Sequence, residues 1–139
     1  MIDPLEAAIK FLTSRVELTG LSGRISSKHK YGEAWTTSQS SLILILDDSD
    51  PNWYVPIHDV RLEVWCVAAD DATAMDLWMT LVGISREGAR IPVTTSKGTA
   101  LVYSFLPESG PSYMPIEDLD AMKRVLSFWR LRVCEVPVS

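Results

Sequence analysis

The chain contains few of the residues on which metal sites, disulfide frameworks and acid–base catalysis usually depend. Its 139 residues include only two cysteines and two histidines. Cys66 and Cys134 lie in strand-like stretches without CxxC spacing or a nearby histidine, so we expect two buried thiols rather than a disulfide or metal site. His29 stands between two lysines. His58 precedes Asp59 on a predicted strand, where adjacent side chains point to opposite faces, so we do not expect a catalytic dyad.

Long apolar runs and an excess of basic residues are also missing. Runs such as residues 42–46 are far shorter than the about twenty residues that a membrane span needs. The 13 basic residues are scattered among 18 acidic ones, giving a net charge of −5, which disfavours binding to nucleic acid. The first residues show no secretory signal pattern, so we expect the protein to be made in the cytoplasm. We expect neither a membrane nor a nucleic acid as a partner.

Motifs that bind cofactors or activate nucleophiles are not recognisable either. Asp47, Asp48 and Asp50 are dense enough to suggest a divalent cation, but the run lacks the glycine and downstream glutamate of a calcium loop. A turn with solvated carboxylates is the favoured interpretation. Neither Ser104 nor Ser109 stands in a nucleophile elbow. The sequence therefore predicts no cofactor and no enzymatic activity.

What is present is enough apolar material for one folded unit. Hydrophobic residues make up 47% of the chain and charged residues 22%, which is too apolar for a disordered segment. A chain of this length is one ordinary domain. We therefore treat residues 1–139 as a single domain.

Two amphipathic helices are predicted. Asp3-Pro4-Leu5-Glu6 combines an N-cap, a proline suited to the first helical position and a glutamate that can reach back as in a capping box. This first helix covers about residues 4–17, with an apolar stripe at Leu5, Ile9, Leu12 and Val16. Residues 70–73 open the second helix, whose stripe ends before Gly83 and comprises Ala74, Met75, Trp78, Leu81 and Val82.

The remaining periodic segments are predicted as strands. Residues 24–26 form a possible short strand, and residues 41–46 are the candidate for the central strand, closed by a turn at residues 47–51. Residues 58–68 alternate, with Val60, Leu62, Val64 and Cys66 on one face. A strand over residues 99–106 ends at the polar segment 107–111, and a last strand spans about residues 124–136, although residues 122–126 could be helical.

These elements predict an α+β fold. Two main helices cover one face of a mostly antiparallel sheet, which makes a two-layer α/β sandwich.

Aromatic residues outside the helical stripes are the other unusual feature. Trp35, Trp53, Tyr54 and Tyr113 lie in predicted loops, and Trp65 lies on the polar face of its strand. Tyr and Trp are enriched at protein interfaces, so these positions are candidate subunit contacts. A second interpretation stays open, in which the loop rings cover the ends of the core.

The pattern resembles the tail terminator, or tail completion, proteins of long-tailed bacteriophages. The resemblance rests on the opening Asp3-Pro4-Leu5-Glu6-Ala7-Ala8 helix, on the strand over residues 60–67 that leads into residues 68–74, and on the closing strand around Trp129-Arg130-Leu131-Arg132-Val133. It covers nearly the whole chain, and its features are patterns of residue type without a catalytic signature.

The resemblance implies a virion protein that forms a homohexameric ring on the head-proximal end of the tail tube. Such a ring stops tube polymerisation and contacts both the tail tube protein and the head–tail connector or stopper protein. A ring needs two different patches on each subunit. The candidates are one strand face with Asp59, Arg61 and Glu63, joined by Trp65, and another with Arg130 and Arg132.

Other functions remain open at this point. Within the same class the chain could be another head–tail connector or a tail tube subunit. From other classes, the alternatives are a small α/β ligand-binding protein or enzyme with a pocket between helices and sheet, and a dimeric adaptor that extends its sheet.

Overall fold

A computed structural model describes residues 3–21, 24–27, 40–51, 57–87, 91–115 and 123–135. Within these ranges the elements are α1 (Pro4–Thr13), a 3₁₀ helix (Val16–Leu21), β1 (Ile25–Ser26), β2 (Ser41–Pro51), β3 (Ile57–Ala68), α2 (Asp71–Glu87), β4 (Ile91–Thr95), β5 (Gly98–Pro115) and β6 (Lys123–Glu135). This content belongs broadly to the α+β class, as the sequence predicts.

The described strands form one six-stranded sheet in the order β1-β2-β3-β6-β5-β4. The short β1 pairs parallel to β2, and all other neighbours are antiparallel. The prediction that residues 41–46 form the central strand is wrong, because β3 and β6 occupy the centre and β2 lies second from one edge. Leu42, Ile43 and Leu44 are nevertheless fully buried, so the expected cover on both faces of this strand is confirmed.

Helix α1 begins as predicted and ends earlier. The Asp3 carboxylate accepts a hydrogen bond from the Leu5 N–H at 3.0 Å, and Pro4 occupies the first helical position. The Ser14 hydroxyl donates to the Phe11 carbonyl, which would accept from the Arg15 N–H in a continuing helix, and the Arg15 N–H donates instead to the Leu12 carbonyl at 3.1 Å. The helix therefore stops at Thr13, and Val16, predicted on the apolar stripe, is 73% exposed.

Glu6 does not complete a capping box. Its carboxylate accepts instead from the Ser96 backbone N–H at 2.6 Å and from the Ser96 hydroxyl at 2.8 Å, in the turn between β4 and β5. These hydrogen bonds, led by the one from the backbone, lower the pKa of Glu6 below its ordinary value. The side chain thus ties the first turn of α1 to a hairpin 90 residues away in the sequence.

Helix α2 begins where predicted and continues past Gly83. The Asp70 carboxylate accepts from the Thr73 N–H at 2.7 Å, and this bond lowers the pKa of Asp70. Gly83 lies on the exposed side of the helix, whereas the next residue, Ile84, is buried in the core. A single helical glycine costs about 1 kcal/mol relative to alanine, which burial of one Ile side chain exceeds.

The run from Asp47 to Pro51 is part of β2 rather than a turn. Its pairing with β3 continues from Asp48–Arg61 to Pro51–His58 after a register shift that follows Leu46. The Asp47 carboxylate faces the Arg61 guanidinium at 3.2 Å, so a cross-strand ion pair replaces the solvated carboxylate that the composition suggests.

The prolines after Leu106 do not end β5, which continues to Pro115 with three register shifts against β6. Strand β4 pairs with β5 only as far as Val102. Among the described strands, the later part of β5 is therefore a sheet edge, where proline is tolerated because only part of the N–H groups face a neighbouring strand. Gly110 has φ +100°, and a Cβ there would come within 2.9 Å of the Leu126 carbonyl oxygen, so this position requires glycine.

The last strand follows the predicted alternation. Val125, Trp129, Leu131 and Val133 are buried, and residues 123–126 are strand rather than helix. Met122 lies outside the described residues.

The core lies between the helices and one face of the sheet, which we call the inner face. Buried residues of α1 and α2 join the inner-face residues of β2, β3, β5 and β6 in one cluster. The indole of Trp129 is fully buried, stacks on Phe105 with 4.5 Å between ring centroids, and donates from Nε1 to the Ser127 hydroxyl at 2.8 Å. Phe11 of α1 meets Phe105 edge-on at 6.3 Å, which connects the helix to this aromatic centre.

We predict that Trp129→Ala lowers the free energy of unfolding by about 3–5 kcal/mol, because it removes a fully buried indole and leaves a cavity. Denaturant unfolding followed by circular dichroism measures the change. Val16→Ala is the control, since Val16 is 73% exposed and its truncation is expected to change stability by less than about 0.5 kcal/mol. Equal effects of the two variants would contradict the placement of the core.

We predict that Glu6→Gln lowers the melting temperature at neutral pH. Because the pKa of Glu6 is lowered in the folded state, its contribution is present above the ordinary value of 4.5 and is lost as the pH falls through the folded value. Thermal unfolding between about pH 7 and pH 3 should show the variant and the natural protein converging at the acidic end. Ser96→Ala, which keeps the backbone donor, should give a smaller loss. A constant difference across the pH range would contradict this assignment.

Candidate assembly surface

The face of the sheet opposite the helix-packed core, here called the outer face, carries the charged residues of the two central strands. In β3 the residues with odd numbers point to it, and in β6 the residues with even numbers do. Antiparallel pairing brings the two sets together, with Asp59 opposite Arg132 and Arg61 opposite Arg130.

Three carboxylates hold these arginines in a continuous network. Asp59 contacts Arg132 at 3.2 Å and Arg130 at 3.5 Å. Glu108 of β5 contacts Arg130 at 3.2 Å and Arg61 at 3.3 Å, and Asp47 of β2 contacts Arg61 from the other side at 3.2 Å. We call this set the arginine band: Asp47, Asp59, Arg61, Glu108, Arg130 and Arg132.

Glu108 owes its position to an irregularity in β5. The register moves from Pro107 opposite Trp129 to Ser109 opposite Phe128, so Glu108 has no partner residue on β6. Such an extra residue re-aims its side chain. The carboxylate then bridges two arginines that face each other across strands and would otherwise repel. Its hydrogen bond raises the pKa of Arg130 above the ordinary value.

Beside the arginine band, two arginines stack on aromatic rings. The Arg61 guanidinium carbon lies 4.2 Å from the centre of the Phe128 ring, and that of Arg124 lies 3.9 Å from the Trp65 ring. The Trp65 indole also donates from Nε1 to the Glu63 carboxylate at 2.7 Å. These contacts fix the orientation of planar side chains that would otherwise sample several rotamers.

Part of the outer face is apolar and packed. Ile43 and Val67 are buried there, with Ile45 and Trp65 packed against them. Trp65, a candidate interface residue, therefore also helps to pack the sheet. Truncating it would disturb the fold as well as the surface.

The outer face is balanced in charge. Of the described side chains in its contacts on β2, β3, β5 and β6, four are arginines (Arg61, Arg124, Arg130, Arg132) and four are carboxylates (Asp47, Asp59, Glu63, Glu108). A neutral face does not attract a polyanion as a basic stripe does. Exposed ion pairs contribute little stability each, so the network mainly orders the surface.

The two patches predicted from the sequence are one surface. The expectation that Asp59, Arg61 and Glu63 form one patch and Arg130 and Arg132 another is wrong, because β3 and β6 are hydrogen-bonded neighbours whose charged residues share a face. The pairing order of distant strands decides this, and alternation within each strand does not reveal it. A ring built from this chain therefore needs a second patch elsewhere.

The other candidate contacts are only partly placed. Trp35, Trp53 and Tyr54 lie outside the described residues. Tyr113 lies in β5 opposite Val125, rather than in a loop. Glu108 and Asp47 are not among the residues predicted from the sequence, because both lie in segments with the composition of turns. The available signal was the row of arginines at alternating positions of β3 and β6, since such arginines need carboxylates beside them.

Residues with catalytic or metal-binding chemistry are dispersed. His58 is buried on the inner face with Nε2 3.9 Å from a Glu135 carboxylate oxygen, while Asp59 lies on the outer face, so the predicted separation is confirmed. Cys66 is a buried free thiol whose pKa is raised by burial, whereas the free thiol of Cys134 is only half-buried, so the prediction of two buried thiols is confirmed for Cys66 alone. In the described part of the chain, no group of three His, Cys, Asp or Glu side chains is placed to hold a metal ion, and no helix is long and apolar enough to span a membrane.

Comparison with solved structures shows a similarity in fold to a virion chain. A chain from a solved structure described as the virion of a native gene transfer agent (GTA) particle superposes with a TM-score of 0.54 and 13% sequence identity. The match covers 94% of this chain and 93% of that chain. At this identity the similarity shows a shared fold and nothing more specific. No family model and no curated protein matches the sequence.

We predict that Glu108→Gln lowers the melting temperature by a few degrees at most at low ionic strength, because exposed ion pairs are weak. In about 1 M NaCl the difference should shrink, since screening acts over roughly 3 Å there. Lys10→Gln, which removes one exposed charge from α1, is the control. A salt-independent loss for Glu108→Gln would contradict the electrostatic role of this side chain.

Proposed function

We propose that this chain is a structural protein of a phage-like virion, with the role of a tail terminator. In this role, six copies form a ring on the head-proximal end of the tail tube, stop its polymerisation and contribute to the head–tail joint. The single observation that carries the proposal is the fold shared with a virion chain of a gene transfer agent over 94% of this chain. The sequence resemblance to tail terminators supports the finer role independently of that match.

The organisation of the molecule suits such a role. As one domain in a two-layer sandwich, it would present a helix side and a sheet side to different neighbours. The sheet side is ordered by the arginine band, so little side-chain freedom remains to be lost on binding. The proposed partners are further copies of the chain, the tail tube protein and a head–tail connector or stopper protein, and the role involves no chemical reaction.

The mixed charge of the outer face favours a protein over DNA as its partner. Alternating arginines and carboxylates recognise a surface of complementary charges and penalise a wrong register. Exposed apolar side chains next to the arginine band, such as Leu106 at 49% exposure, supply area that ion pairs cannot.

Native mass spectrometry over a concentration series, with negative-stain images of the dominant species, tests the proposal. We predict a closed hexamer with an axial hole, formed either by the free protein or at one end of purified tail tubes from the same particle. A heterologous contact that closes makes a ring with no free patches, so the series should end at one size. A stable dimer at all concentrations that does not cap tubes would contradict the proposal and favour a dimeric adaptor.

A further inference from the structure

The exposed side of α2 is a second surface, and its side chains can pair with those of the outer face. Met79 is 58% exposed, and Asp76 lies one turn before it on the same side of the helix. Among the described side chains of this helix, the other exposed residues are Asp71, Ala72, Thr73, Gly83 and Arg86. The surface therefore offers a carboxylate beside an apolar side chain, with alanine, threonine and glycine among its exposed neighbours.

The outer face carries side chains that complement Asp76 and Met79. Arg132 has a side chain that is 57% exposed and uses one nitrogen in its ion pair with Asp59. A guanidinium has five N–H donors, so it can bind a second carboxylate without breaking the first pair. Leu106 is exposed and lies opposite Arg130, diagonal to Arg132 across β5 and β6. A cation beside an apolar side chain thus faces outward on the sheet.

We propose that the exposed side of α2 in one copy docks on the outer face of the next copy, with Asp76 against Arg132 and Met79 against Leu106. This inference rests on the proposed ring and supplies its contact between copies. Helix α2 packs on the inner face, so its exposed side and the outer face lie on opposite sides of the sheet. Each copy can therefore make both contacts at once.

Charge complementarity favours α2 of another copy as the partner of the outer face, rather than the outer face of a second copy. Across the outer face, Arg130 of β6 lies between Glu108 on β5 and Asp59 on β3, and Arg132 pairs with Asp59. A two-fold axis through the centre of this face would place arginine against arginine. Asp76 on α2 instead brings an opposite charge to Arg132, and the resulting contact is heterologous, as a ring requires.

Charge exchange between two variants provides the test. Arg132→Glu places two carboxylates at every contact, and Asp76→Arg places two cations there. Each variant alone should raise the protein concentration needed for half-assembly by ~10-fold or more, because a close charge pair becomes a repulsive one. The readout is the ring, free or on tube ends, by native mass spectrometry and negative-stain imaging.

Recombining the variants should restore the ring. The double variant carries a reversed pair at each contact. An equimolar mixture of the two single variants can alternate around a ring of even number, so that every contact again joins opposite charges. Lys10→Glu, on the exposed side of α1, is the control for a change of charge away from both surfaces and should assemble as the natural protein does. Melting temperatures verify that each variant is folded.

Three results would overturn the inference. Rings that form equally well from both single variants would place the contact elsewhere and leave the proposed function standing. Loss of assembly in Arg132→Glu alone, with Asp76→Arg unaffected, would show that the outer face binds a different surface. If the natural protein neither forms rings nor caps tail tubes, the proposed function itself fails, and the contact fails with it.

Discussion

The antiparallel pairing of β3 with β6 is the constraint on which the rest of the molecule depends. It runs from Ile57–Cys134 to Ala68–Lys123 without a register shift. Because side chains alternate along both strands, this one register places Trp129 in the core and Arg130 on the outer face. A slip by one residue would exchange the two sets and bury the charges. Apolar burial and the arginine band therefore enforce the same pairing.

The irregularities of the sheet lie outside this central pair. Register shifts occur in β2 after Leu46 and at three places in β5, all of them next to β3 or β6. The shift at Glu108 aims a carboxylate between two arginines of the central strands, and Gly110 permits the close approach of β5 to β6 that follows. The regular pairing of β3 with β6, together with the register shifts of β2 and β5, yields an outer face whose arginines are paired with carboxylates of the same molecule.

Features that depend on neighbouring residues in the chain were predictable from the sequence, and features that depend on distant residues were not. Local signals succeeded: the caps of both helices and the alternation of the central strands were readable from neighbouring residues. The acidic run after Leu46 and the prolines after Leu106 predict turns, but both segments are strand, because the first has cross-strand partners and the second lies at a sheet edge. Glu6 predicts a capping box, but its carboxylate binds Ser96, which lies far away in the chain. That the two predicted charged patches form one surface depends on the pairing of β3 with β6, which no local sequence pattern reveals.

A cryo-electron microscopy reconstruction of the assembled protein would reveal which surfaces meet between copies. We expect a ring in which the outer face of each copy is covered by the exposed side of α2 from its neighbour, with Arg132 and Asp76 in contact across every boundary. An assembly in which the arginine band of every copy faces solvent would contradict this expectation.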